Sequence, residues 1–153
     1  MVWSKGRGVL GLLKPLLGEW VTLHAKGTSG AAEMSCRRSF AMLGKGWIEL
    51  KADWQTGPTS EYLERAMFGA GEGGQLSCFS FTSDGKKSVG RQSDATDVDA
   101  RAISFEAQMP AGLARMIYWP RLSEEPGFFF AVESRTKKGW NRFLLQEFVP
   151  VSS

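Results

Sequence analysis

The sequence is poor in the residues that do chemistry. It holds one histidine, His24, and two cysteines, Cys36 and Cys78, with no CxxC pair and no His/Cys cluster. That excludes the usual zinc spacings and a disulfide framework, so no metal is expected; two separate buried thiols are expected, with one bridge between them as the alternative. A Ser–His–Asp enzyme needs a base beside its nucleophile, and no Gly-x-Ser-x-Gly elbow is present. Long apolar runs are missing too. No stretch reaches the roughly 20 apolar residues of a transmembrane helix. The run that follows Lys5 and Arg7, Gly8 to Leu13, is cut short by Lys14 and Pro15, too early for a signal sequence. A cytoplasmic protein without a membrane partner is expected. Lys and Arg form no tract, and a net charge of +3 is too small to mark a nucleic-acid binder.

What the sequence does have is aromatic bulk. Ten Phe and six Trp are many for 153 residues, and large rings fill wide interiors or line pockets. The length fits one domain over 1–153, and 42% apolar with 23% charged residues is an ordinary globular balance. Gly8 to Leu17 carries apolar residues at helical spacing, with Pro15 limiting it to a short helix.

After Gly18 the period changes to two. Trp20, Thr22 and His24 share one face of a first strand running to Lys26. Met34 to Met42 and Trp47 to Gln55 follow, the latter with Ile48, Leu50, Ala52 and Trp54 opposite Glu49, Lys51 and Asp53. Further strands are expected over Glu61 to Phe68, Leu76 to Thr82, Lys87 to Gln92, Arg101 to Met109, Leu113 to Trp119, Phe128 to Arg135 and Trp140 to Val149. Asp84-Gly85 marks a hairpin. About ten short strands joined by tight turns predict an all-β, up-and-down antiparallel β-barrel with a short N-terminal helix; closure would leave no sticky edges.

The glycine-rich Gly69 to Gly74 leads into a strand rather than a helix, so it reads as a hairpin loop and not a phosphate cradle. Glu124-Glu125 lie in a Ser/Pro/Gly loop and read as surface charge. Arg38, Arg65, Arg115 and Arg142 sit within otherwise apolar strands, where an inward guanidinium must be paired or face a ligand. Tyr62, Trp47 and Trp54 either line a pocket or pack. Phe128-Phe129-Phe130 is apolar on both faces, which fits a strand lying under the helix or in a dimer interface.

Leu16-Leu17-Gly18-x-Trp20 at the opening of the first strand resembles the calycin superfamily of lipocalins and fatty-acid-binding proteins. With Phe81-Thr82-Ser83-Asp84-Gly85-Lys86, Glu133-Ser134 and Lys138-Gly139-Trp140, the chain resembles a lipocalin-like, mainly bacterial family related in fold to nitrobindin, over roughly Leu12 to Phe148. The resemblance implies a ten-stranded barrel with a small-molecule cavity, closed at one end by the Trp. Nitrobindin-like proteins ligate haem through a late histidine; here 128–149 has none, so haem is not carried over and no cofactor is expected.

The resulting expectation is non-enzymatic binding of a small, largely apolar ligand, contacted by Trp20, Thr22, His24, Arg38, Tyr62 and Arg65. The alternatives are a small cavity enzyme using His24 as acid or base, and a homodimer built on the Phe128 to Val132 strand.

Overall fold

The computed structural model describes residues 3–23, 34–57 and 59–151. A 3-10 helix, Val9–Leu16, leads into ten strands: β1 Gly18–Thr22, β2 Met34–Leu43, β3 Trp47–Thr56, β4 Ser60–Ala70, β5 Leu76–Thr82, β6 Lys87–Ser93, β7 Ile103–Met109, β8 Gly112–Pro120, β9 Phe128–Thr136 and β10 Gly139–Pro150. Each strand pairs antiparallel with its sequence neighbours, and β1 closes onto β10 with Trp20 opposite Pro150 and Thr22 opposite Phe148. The sheet is therefore a closed up-and-down barrel, as the two-residue period predicts.

Alternation fixes which side chains face inward. On β3, Ile48, Leu50, Ala52 and Trp54 are all buried while Lys51 and Asp53 are exposed. The first strand is described over Gly18–Thr22, with the Leu23 N–H still donating to Glu147 O at 2.8 Å; the rest of the expected strand, His24 to Lys26, lies outside the described residues. β4 runs on to Ala70, two residues into the segment expected to be a loop. Gly69 stays in the strand because the Trp47 ring lies across it on the outer wall, where any Cβ would collide with the indole.

One end of the barrel is plugged. Leu13 and Leu16 of the helix are fully buried, and the Trp20 indole N–H donates to the Leu16 carbonyl oxygen at 2.7 Å. Gly11 is required there: the Gly6 carbonyl occupies the place of its missing Cβ, and Gly6 N–H donates to Gly11 O at 2.7 Å. Above this plug, rings stack through the lower barrel. Phe128 lies 4.9 Å from Trp20 and 5.1 Å from Phe148, Tyr118 lies 4.8 Å from Phe130, and Phe68 lies 5.1 Å from Phe105. Such contacts add to the area term that burying these rings already supplies.

The outer wall carries a second buried cluster. Arg115 and Glu133 pair across β8 and β9 and point outward by parity, yet both are almost fully buried. Arg115 Nε donates to Glu133 Oε1 at 2.8 Å, its two terminal nitrogens reach both Asp97 oxygens at 3.0 and 2.7 Å, and Arg142 Nε donates to Glu133 Oε2 at 2.8 Å. The Trp140 ring covers the Arg115 guanidinium at 4.3 Å. This clamp fastens the segment between β6 and β7 against the wall, and Ile117 and Ala131, also outward, are sealed at 0% exposure. On the doubly apolar Phe128–Ala131 stretch, Phe128 and Phe130 face the core, Ala131 is buried on the outer wall, and the part-buried Phe129 stacks on Trp119 at 5.5 Å. A β-bulge between Arg142 and Leu144 lets β10 serve both sides, with Arg142 outward opposite Glu133 and Leu144 inward opposite Val132.

Removing Glu133 leaves the buried Arg115 with Asp97 as its remaining carboxylate and takes the partner from the part-exposed Arg142. Glu133→Ala is expected to cost about 1.5–3 kcal/mol. Asp53→Ala, which frees the half-exposed Arg65 on the open surface, is expected to cost less than about 1 kcal/mol. Urea unfolding of the two variants side by side measures the difference; equal losses would show that the clamp is no more than a surface pair.

Candidate ligand cavity

Arg38 on β2 follows Cys36 and precedes Phe40 on the inward face, so alternation sends a charged side chain into the middle of the barrel. It is 1% exposed. A cation taken this far from water must find compensation, and here rings and one carboxylate supply it. The guanidinium carbon lies 4.1 Å from the Phe130 ring centroid and 5.5–5.7 Å from those of Trp54, Tyr118 and Phe148. Arg38 Nη2 is 3.6 Å from Glu64 Oε1, and Nη1 approaches Cys36 Sγ at 3.9 Å. Its Nε has no hydrogen-bond partner among the described residues.

Glu64 stands at the boundary of this box. Its other oxygen, Oε2, accepts a 2.6 Å hydrogen bond from Ser80 Oγ on the neighbouring β5. On the far side of Glu64 and Ser80 the barrel is hollow: a cavity of about 380 Å³ opens between the β5–β6 and β7–β8 hairpins. Its walls are apolar and adaptable, with Ala107, Ala114, Met116 and Val132 deeper and Met109 and Leu113 nearer the turn. Lys86, Lys87, Tyr62 and the bulge residue Phe143 contribute at the more exposed margin. The volume lies in the usual range for small-molecule sites, about 300–1,000 Å³. The arrangement can take up an apolar body and offer it a few polar atoms at one end.

The residues nominated from the sequence separate in space. Tyr62 lines the cavity, and Arg38 lies behind Glu64 without lining it. Trp20 belongs to the plugged end. Thr22 is buried, its hydroxyl accepting from Cys36 N–H at 3.1 Å as a tie between β1 and β2. His24 lies outside the described residues. Arg65, expected at the ligand, is on the outer face, where its Nη1 donates to Asp53 Oδ1 at 2.7 Å. Parity explains that correction: Tyr62 and Arg65 are three apart on an unbroken strand and cannot face the same side. The same parity signals Glu64, which stands two residues from Tyr62 and from the buried Ala66, and which the sequence reading passed over.

Burial has a chemical consequence for the two thiols and for Tyr118. Desolvation pushes the Cys36 thiol from 9.0 up to about 11, against the opposing pull of Arg38. Burial also raises Cys78 and Tyr118 well above their ordinary ranges. Both cysteines are free, as expected for separate buried thiols. Groups with raised folded-state values contribute stability that is complete below their unfolded values and is lost as pH rises through the folded ones. Unfolding free energy is therefore expected to fall from about pH 9 toward pH 11. Cys36→Ala should flatten that slope by up to about 1.4 kcal/mol per pH unit, measured by denaturant titration across the alkaline range. An unchanged slope would show that the Cys36 thiol does not report on folding.

In comparisons with known proteins, no family model matches the chain and no curated protein matches it.

Proposed function

We propose that this protein is a non-enzymatic, lipocalin-like binding protein that holds one small, largely apolar molecule in the open half of its barrel. The observation that carries the reading is the uneven filling of the interior. Rings and Arg38 occupy the half next to the helix, while small and flexible side chains leave about 380 Å³ open in the other half. A barrel selected for packing alone would fill that space, since voids of this size sacrifice dispersion contacts and stability. Ala107 and Ala114 face each other across the β7–β8 ladder in the cavity wall, where larger residues would close it. Among the described residues no helix is long and apolar enough to cross a membrane.

The test uses N-phenyl-1-naphthylamine, a neutral dye whose fluorescence rises in apolar surroundings. Saturable enhancement at one site per chain is expected. Ala114→Trp, which places an indole in the cavity, should weaken binding at least tenfold, and Val89→Ala, a change on the exposed outer face, should leave it unaltered. Absence of saturable binding, or equal binding by the Ala114→Trp protein, would overturn the reading.

A further inference from the structure

We infer that the cavity selects ligands that carry a hydrogen-bond donor, an ammonium or hydroxyl head, at the end that enters first, and that Glu64 is the residue that selects them. This inference rests on the proposed ligand cavity and adds the chemistry of its inner end.

Glu64 is the one carboxylate among the described residues lining the cavity, and its side chain keeps 14% exposure. An ionised carboxylate offers about four acceptor positions. Ser80 takes one through Oε2 at 2.6 Å, and Arg38 stands 3.6 Å from Oε1, beyond ordinary hydrogen-bond length. Acceptor capacity therefore remains on the group that faces the hollow. An apolar end pushed against it would strip away water without replacement, and a carboxylate end would add like-charge repulsion. A donor head restores the lost hydrogen bonds.

Arg38 does not reverse this preference. The guanidinium lies behind Glu64 and is enclosed by Phe130, Trp54, Tyr118 and Phe148, so an incoming head meets the carboxylate first. The cations that do line the cavity, Lys86 and Lys87, are exposed, and Lys86 Nζ already lies 3.7 Å from Asp84 Oδ2. The remaining polar groups along the wall include the hydroxyls of Ser88 and Ser134, which act as donor or acceptor and impose no sign. Polarity thus runs from an acceptor at depth to a basic margin. A ligand seated with its donor inward matches it.

The experiment is displacement of N-phenyl-1-naphthylamine from the wild-type protein at pH 7 by octylamine, octan-1-ol, methyl octanoate and octanoate. Octylamine and octan-1-ol are expected to bind at least tenfold more tightly than octanoate and than the ester; the ratio between the first two reports how much the charge adds to the donor. The preference should vanish in Glu64→Gln. Because that change leaves Arg38 buried without its carboxylate, the paired variant Arg38→Met with Glu64→Gln is measured alongside, its fold checked by thermal melting. Octanoate or the ester binding as well as the donor-headed ligands would overturn the inference while leaving the cavity reading intact. A preference that survives the loss of Glu64 in a folded variant would overturn it as well. Failure of the dye itself to bind would sink the cavity reading and this inference with it.

Discussion

The arrangement of the interior depends on one charge that cannot leave it. Arg38 is committed to the core by its place on β2, between Cys36 and Phe40, and a guanidinium cannot neutralise itself by giving up its proton. The fold answers with aromatic faces and with Glu64. The rings that surround the cation also fill the barrel on that side, so the solvation of Arg38 and the packing of the lower core are a single arrangement. Glu64, the carboxylate beside that charge, sits at the edge of that packing. Its carboxylate becomes the border between a solid half and a hollow one.

This helps explain why the two halves differ in composition. Below Glu64 the inward positions carry Phe40, Phe68, Phe105, Tyr118 and Phe130; above it they carry Ala107, Ala114, Met116 and Val132. Large rings have few rotamers and fix a shape, whereas methionine and small residues let a wall adapt. A rigid base under a yielding chamber suits a binding protein. The base holds the polar end still, and the chamber adjusts to the rest of the guest.

Much of this architecture was readable from residue order. The strand period, the Asp84-Gly85 turn and the split faces of β3 follow from local rules, and β5 ends at the residues the period predicts. The site was harder. Tyr62 and Arg65 both look like ligand contacts by residue type, but their odd spacing on a regular strand puts them on opposite faces, and the residue that shares the face of Tyr62 is Glu64. Arg115 and Ala131 expose a different limit. Alternation puts both on the outside, yet both are buried, Arg115 beneath Asp97 from the segment between β6 and β7 and the Trp140 ring of β10. No local pattern on β8 or β9 announces a cover supplied from elsewhere in the chain.

The bulge on β10 shows how closely inside and outside are tied. Strict alternation from Arg142 would turn Leu144, Gln146 and Phe148 toward solvent and leave the floor of the barrel without the ring that stacks on Phe128. The extra residue at Phe143 resets the phase in mid-strand. One span of backbone can then hold an ion-pair cluster on its outer skin and an apolar column on its inner one, two demands that an unbroken ladder of the same composition could not meet together.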